Sequence, residues 1–548
     1  GAVSLAAAQA EFAHRVEAGE FVAVDQRPDL PGRAFTTREM IALERETIHV
    51  MQAGQQRAPD LASPIIRDAI ARDHSHLSES QRAAVAQILG SHDQILGLDG
   101  VAGAGKTTAL AAVRHAAEQQ GYQIEGFAPT SRAAQQLEEA GMASGTLQRH
   151  LARAHAPHSE DKHLYVLDES SLASTTQLHA FLHRLGPDDR VLLVGDVRQH
   201  QSVDAGRPFQ QLQEAGMQTA HLDAIVRQRD PALRLIVEQL ARGEVRAAVH
   251  ELETQGRVHE IADHDTRLAA IAREYLRHPD QTLIVAPDNH SRLELNAVIH
   301  HARQAEGQVV AQERHVRVLV ARQEVTGADR QWAAQYHMGD VVRYTKGSHT
   351  YGLAAGEYAR VVHINPEDNL VTVRPEHGTR VTYDPRRLQG VTLYREADRA
   401  FAIGDRVQLT APDRAHHLAN RELGTVEQLQ PKDQLRLHLD SGRTVDLDPR
   451  AHPHLDYGYA VTSHSSQGQT ANRVLVHIDM DRAGEALVNQ RLAYVALSRG
   501  RDDAQIYTND KTRLADALSR DVSRQSPARR FGHAVQSAAR KLETSIAR

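Results

Sequence analysis

Eight residues, Gly100 to Thr107, read GVAGAGKT. An apolar run, ILGL, precedes them and an Ala-rich helical segment follows. Glycines at this spacing let backbone N–H groups turn inward around phosphate oxygens. The following helix N-terminus adds partial positive charge. Gly100, Gly103 and Gly105 shape this loop, Lys106 carries the charge that reaches β- and γ-phosphates, and the Thr107 hydroxyl suits Mg²⁺, with Thr108 beside it. A second run, YVLDES at Tyr165–Ser170, ends an apolar strand in two acids. Asp168 is expected to hold the metal and Glu169 to take a proton from, or orient, an attacking water. Together these residues predict hydrolysis of a Mg²⁺-bound nucleoside triphosphate, ATP being the expected one.

The chain around them is 548 residues long and carries a net charge of −6. That length predicts two to four domains. It has no cysteine, which excludes disulfides, thiolate metal sites and a thiol nucleophile and fits a reducing cytoplasm. No apolar run is long enough to span a bilayer. The net charge does not advertise a nucleic-acid binder, but a binding channel needs only a local positive lining. The 34 histidines are scattered without metal-ligand spacing. The Gly-Ala start, with no signal-peptide pattern, predicts a piece of a longer protein.

The elements that must hold the loop follow from periodicity. Residues 1–76 read as helical, with a Thr-x-x-Glu-like start in FTTREMIALERETIHVMQAGQ. Over 77–221, short apolar runs at Ile95–Leu98, Ile124–Ala128, Tyr165–Leu167 and Val191–Val194 alternate with helical segments, the signature of a parallel sheet with crossover helices. A second α/β set spans 222–334 and resumes at 453–510, with strands expected at Thr282–Ala286, Val474–Ile478 and Gln505–Tyr507. Between them the pattern turns β-like and repeats. GDVVRYT at 339–345 and GDRVQLT at 404–410 each lead a set of short alternating strands, so two small SH3-like barrels are expected over 335–395 and 396–452. Eight aromatics lie between Trp332 and Phe401; barrel filling and base stacking both use such residues. The tail 511–548 reads as a basic helix, with Arg513, Arg520, Arg524, Arg529, Arg530, Arg540 and Lys541.

Further segments resemble, in order, the motifs of superfamily 1 helicases. They are LSESQ at 77–81, APTSR at 128–132, GDVRQ at 195–199, VRQ at 226–228, TSHSSQGQT at 462–470 and YVALSRGR at 494–501. The resemblance implies that Gln81 reads adenine and that Gln199 senses the γ-phosphate. It implies that Arg227 approaches the phosphates and that Arg499 is an arginine finger, both from the second lobe, with Gln467 and Gly468 also at the nucleotide. It assigns single-stranded DNA to Pro129, Thr130, Ser131, Arg132 and Thr146 in one lobe and to Thr462, His464 and Ser465 in the other. The phosphate loop, GDVRQHQSVDAGRPF, YAVTSHSSQGQT and AYVALSRGRDDAQIYT are similar to the RecD-like, 5′-to-3′ branch, and within it to the helicase part of conjugative relaxase–helicases of the TraI/TrwC type. The implied fold is two RecA-like lobes with parallel sheets, an N-terminal helical region and two small barrels inserted in the second lobe.

That family joins the motor to a nicking domain built on a metal-binding histidine triad. No such triad is found here, so nicking is expected only in the parent protein. The expected partners are single-stranded DNA, an N-terminal relaxase domain of the same parent chain and components of a type IV secretion system, with bacterial cytoplasm as the location and transfer alongside DNA as an added expectation. Two other classes fit parts of the pattern. A degenerate lobe pair would bind single-stranded DNA without unwinding it; intact Lys106, Glu169, Gln199 and Arg499 oppose that. A P-loop switch or transporter ATPase is opposed by the segments at 462–470 and 494–501. The segment between 132 and 165 is short, so a strand-splitting pin there is expected to be small or absent.

Overall fold

The computed structural model describes residues 5–24, 34–153, 161–200, 206–322, 325, 329–376, 378–413, 416–484 and 486–521. Most of the basic tail, from Arg524 to Lys541, lies outside them. Two compact units form: one holds Ala13–Leu295 and Ala460–Arg548, the other Asn296–Tyr459 with Gly1–Phe12.

In the N-terminal region the helix Arg38–Ala53 begins one residue after the Thr36-x-x-Glu39 start would place it, with Thr37 Oγ1 accepting from Met40 N at 3.1 Å. Helix does not fill the region, however. Strands β1 (Phe21–Val24) and β2 (Ala34–Thr37) pair antiparallel, because Phe, Val and Thr lose less side-chain freedom in a strand than in a helix.

The first lobe contains β3 (Ile95–Gly100), β4 (Gln123–Ala128), β5 (Ala143–Thr146), β6 (His163–Leu167), β7 (Arg190–Gly195) and β8 (Thr219–Leu222). They form one parallel sheet in the order β5-β4-β6-β7-β3-β8. Every residue of β3 and β7 is buried, as strands covered on both faces must be. The second lobe opens with β9 (Val258–Glu260) and β10 (Thr282–Ala286).

The inserted unit follows: β11 (Glu313–Ala321), β12 (Val341–Tyr344), β13 (Tyr358–Asn365), β14 (Leu370–Pro375), β15 (Val381–Tyr383), β16 (Val391–Ala402), β17 (Arg406–Leu409), β18 (Leu423–Leu429), β19 (Leu435–Leu439), β20 (Thr444–Leu447) and β21 (Leu455–Tyr457). Two antiparallel sheets result, β11-β16-β12-β13-β14-β15 and β20-β19-β18-β17-β21. In neither sheet are the first and last strands of this order paired. The six-stranded sheet begins before residue 335, since β11 pairs along its whole length with β16.

The repeat read from sequence recurs bond for bond. Asp340 O accepts from Val361 N, and Asp405 O accepts from Val426 N. Bridges join Ser348 to Leu353 and Asp413 to Leu418. β13 and β18 each carry one irregularity, between Val361 and His363 and between Val426 and Gln428. The leading aspartates are buried and bonded: Asp340 to Arg322 at 2.6 Å, Asp405 to His300 at 2.8 Å.

The chain then completes the second lobe with β22 (Ala460–Thr462), β23 (Ala471–Ile478) and β24 (Gly500–Thr508), parallel in the order β22-β10-β23-β24-β9. The expected pair of RecA-like α/β lobes is present. One apolar core contains residues of both, among them Leu98, Ala109 and Leu222 with Val474, Leu492 and Ile506.

Candidate active site

β3 delivers the chain into the phosphate loop, and the helix Lys106–Gln119 starts directly after Gly105. Gly103 and Gly105 take φ of +86° and +74°, a region L side chains rarely occupy. At Gly103 a Cβ would also lie 2.6 Å from Arg227 Cβ, so glycine is required twice over. Val226 N donates to Gly103 O at 3.0 Å, which brings Arg227 against the loop.

The loop borders a cavity of about 440 Å³, within the usual range for small-molecule sites. Gly103, Gly105, Lys106, Thr107, Asp168, Glu169 and Gln199 line it from the first lobe, and Gln467, Gly468, Thr470 and Arg499 from the second, together with Arg227. Residues hundreds of positions apart in the chain thus meet at one site.

Three cations face this space, and among the described residues none forms an ion pair. Lys106 Nζ donates to Gly100 O at 2.6 Å. Arg227 Nη1 donates to Ser498 O at 3.0 Å. Arg499 is 2 % exposed and donates to Val495 O at 2.9 Å and to Ser498 Oγ at 3.1 Å. Burial pushes the Arg227 guanidinium down to about 9, with Arg499 adding repulsion. Burial likewise lowers Lys106 and Arg499. Buried like charges without counter-ions are costly; a polyanion in the cavity would offset that cost.

Two acids that follow β6 line the same cavity outside ion-pair distance of these cations. Asp168 Oδ1 accepts from Glu169 N at 2.8 Å, and burial raises the Asp168 carboxyl. Glu169 sits at φ +50°, off the regular strand. Burial and the neighbouring Asp168 raise its carboxyl to about 7, against a hydrogen bond from Thr130. That bond, Thr130 Oγ1 to Glu169 Oε2, is 3.0 Å long.

Asp196, at the end of β7, gathers a network across the lobes. It accepts from Gln199 Nε2 at 3.0 Å, from Arg198 Nη1 at 3.2 Å and from the Tyr494 hydroxyl at 2.8 Å. Tyr494 Oη in turn accepts from Ala102 N of the phosphate loop at 2.6 Å. His200 adds a second cross-lobe link: its ring stacks on His464 at 3.9 Å, and its Nε2 shares a hydrogen bond with Ser463 Oγ at 2.6 Å.

Some expected residues lie elsewhere. Gln81 is under the phosphate loop, where its amide donates to Ala104 O at 3.1 Å and Gly105 O at 3.3 Å and accepts from Ser78 N at 2.9 Å. It is the third residue of a capping box, which uses the side chain locally. Thr108 follows Lys106 and Thr107 along the helix, and its N–H returns to Gly105 O. Pro129, Thr130, Ser131 and Arg132 lie at the end of β4 and the start of the helix Ser131–Glu139. Thr146 caps the helix Leu147–Ala152. Thr462 caps a single turn, Ser463–Ser466, that carries His464 and Ser465.

The AAA domain family matches residues 76–263, and the viral superfamily 1 RNA helicase core domain matches residues 426–508. The multifunctional conjugation protein TraI of Escherichia coli (strain K12) is 26% identical over 574 residues, covering 94% of this chain and 32% of its own length. The conjugal transfer protein TraA of Rhizobium radiobacter is 28% identical over 513 residues, 91% of this chain and 39% of its own length. The chain is thus similar to these conjugation proteins over nearly its whole length. It matches an AAA domain model and a superfamily 1 helicase core model in turn, and it spans about a third of the length of TraI. The ATP-dependent RecD2 DNA helicase of Deinococcus radiodurans is 32% identical over 200 residues, 34% of this chain and 28% of its own. A solved Pif1 helicase from Candida albicans aligns at a TM-score of 0.45 with 16% identity, covering 84% of this chain and 99% of that one.

Sequence reasoning missed Tyr494, Asp196 and His200 as site residues. Tyr494 stands inside a quoted motif, but its two partners lie 392 and 298 positions away. It also found no histidine cluster, whereas the fold gathers Glu46, His179 and His183, and separately His264, His477 and Asp479, within ligand distance of one another. The spacing of His179 and His183 on one helix was the available signal. Among the described residues no helix is long and apolar enough to cross a membrane.

Proposed function

We propose that this chain is the motor of a conjugative relaxase–helicase, moving 5′ to 3′ on single-stranded DNA as it hydrolyses ATP. The observation that carries the reading is the meeting of Lys106, Arg227 and Arg499, without carboxylate partners, at one cavity between two lobes. A triphosphate supplies the missing negative charge. Phosphoryl transfer needs positioning and charge neutralisation more than covalent help, and this lining offers both.

Thr107 and Asp168 supply oxygens of the kind Mg²⁺ takes. Bound there, the ion would neutralise phosphate charge. The backbone N–H groups around Gly103 and Gly105 cradle the phosphates, and Lys106 swings from the Gly100 carbonyl to the β- and γ-oxygens. Glu169 orients the attacking water and accepts its proton. Gln199, tied to Asp196, reports the γ-phosphate. Arg499 and Arg227 neutralise the charge that develops as the bond to ADP breaks, and Gln467 and Gly468 close the site from the second lobe.

The arginines belong to the second lobe's side of the cavity, so nucleotide draws the lobes together and product release lets them part. The Pro129–Arg132 and Thr146 segments of the first lobe and the Thr462–Ser465 turn of the second then grip single-stranded DNA alternately. TraI and TraA are conjugation proteins by name, and they supply the proposed setting: a relaxase domain in the same parent chain and secretion components as partners.

Unwinding of duplexes bearing a 5′ or a 3′ single-stranded tail tests this. The proposal expects ATP-dependent strand separation from the 5′ tail alone. Separation from the 3′ tail reverses the polarity, and separation from neither sinks the motor reading.

A further inference from the structure

Thr130 is bonded in two directions at once. Its Oγ1 accepts from Ala133 N at 3.2 Å, which caps the helix Ser131–Glu139, and donates its only proton to Glu169 Oε2 at 3.0 Å. The residue expected at the DNA grip is therefore attached to the residue expected to activate water. The helix that Thr130 caps also reaches the second lobe, since Gln136 Nε2 donates to Gly468 O at 3.4 Å. Gly468 lines the nucleotide cavity and faces Glu169: a Cβ on it would lie 3.9 Å from Glu169 Oε1. One short helix thus touches the base, the DNA-facing segment and the opposing lobe.

We propose that Thr130 is a positioning residue that restrains Glu169 until single-stranded DNA engages the Pro129–Arg132 segment, so that DNA binding releases the base for ATP hydrolysis. The inference rests on the motor reading above, because it needs DNA at that segment. The step it controls is balanced. Water loses a proton to the Glu169 carboxylate, its oxygen bonds to the γ-phosphorus, and the bond from that phosphorus to the β-bridging oxygen breaks, releasing ADP. While Oε2 accepts from Thr130, the carboxylate is held turned toward the grip and that oxygen is the weaker base, which leaves Oε1 alone on the Gly468 side. A nucleic-acid backbone offers phosphate acceptors to a threonine hydroxyl, and redirecting the Thr130 hydrogen bond to one of them frees Glu169. The coupling needs no rigid-body motion beyond a side-chain rotation.

The test is steady-state ATP hydrolysis by the whole chain, with and without saturating single-stranded DNA. Thr130→Val keeps the shape and removes the donor. Its DNA-free rate is expected to rise about tenfold, the worth of one hydrogen bond to a charged group, with the stimulation by DNA falling in proportion. Thr130→Ser restores wild-type behaviour, which a role in packing alone would not predict. Thr130→Asp keeps an acceptor for Ala133 N but cannot donate to a carboxylate, and it repeats the raised DNA-free rate if the valine variant loses its helix cap. A DNA-free rate unchanged or lowered in both variants, beside a wild type that DNA stimulates, overturns the restraint and leaves the motor standing. A wild type indifferent to DNA overturns both.

Discussion

Tyr494 of the second lobe donates its hydroxyl proton to Asp196 of the first at 2.8 Å, while the same oxygen accepts from the phosphate-loop N–H of Ala102 at 2.6 Å. One buried phenol therefore ties the end of β7 and the phosphate loop to the opposite lobe. Burial, with Asp196 beside it, holds the phenol well above its ordinary titration, so it stays protonated as a donor.

Tyr494→Phe removes both bonds, leaving the buried Ala102 N–H without its partner and Asp196 Oδ2 with the Gln199 amide alone. A buried N–H left so costs about 1–3 kcal/mol. Urea unfolding is expected to show a loss of at least about 1 kcal/mol, and kcat to fall further than ATP affinity. A variant as stable and as fast as wild type would remove Tyr494 from the coupling.

Arg499→Ala and Arg227→Ala test the cationic side of the cavity. An arginine finger is worth about 10³–10⁵ in rate, so Arg499→Ala should abolish turnover while sparing much of the ATP binding. Arg499→Lys should not restore it, because an ammonium lacks the planar fork. Relieving repulsion on its neighbour, Arg499→Ala should also raise the titration of Arg227 from about 9.

Glu169 gives a pH dependence with a definite sign. Its carboxyl titrates at about 7, raised from 4.5 by burial, and it must be ionised to take a proton. The hydrolysis rate should climb as pH rises through 7, and Glu169→Gln should lose activity at every pH. Stability moves the other way. The fold holds this proton more tightly than the unfolded chain does, so the contribution is complete below 4.5 and lost as pH rises through 7. Glu169→Gln should therefore be more stable than wild type above pH 7, with the gap closing in acid; equal stability across that range would contradict the buried setting.

In the inserted unit, His300 lies between Asp405 at 2.8 Å and Glu313 at 2.9 Å. Burial works against its charge, but the two hydrogen-bonded carboxylates outweigh it and raise His300 above 6.5. This pair should stabilise the unit fully below pH 6.5 and lose that effect as pH rises through the folded value. Asp405→Asn, which takes the more buried of two carboxylates from the imidazolium and leaves it Glu313 alone, should cost up to about 3–5 kcal/mol at acidic pH and less in alkali. A pH-independent loss would mean His300 is neutral in the fold.

Contiguous chemistry was legible in the sequence, and chemistry assembled by folding was not. The phosphate loop needs its glycines, lysine and threonine side by side, so GVAGAGKT displays it. The tandem pattern of the insert was legible for a similar reason, since GDVVRYT and GDRVQLT sit at the same place in each repeat. The insert's first strand was not: Glu313–Ala321 reads like any apolar strand, and only its pairing with Val391–Ala402 assigns it. Gln81 was placed at adenine by its motif, yet its amide is engaged by Ser78 and the phosphate-loop carbonyls. The Thr130–Glu169 bond and the His200–His464 stack join separate motifs, and spacing along a chain carries no record of such meetings.

The most direct test of the central claim is ATP hydrolysis with and without single-stranded DNA, run beside Lys106→Ala. Lys106 is the cavity's one cation on the phosphate loop itself, so the account predicts strong stimulation by DNA in the wild type and no turnover in the variant under either condition. Hydrolysis indifferent to DNA, or a Lys106→Ala chain that still turns over, would contradict it.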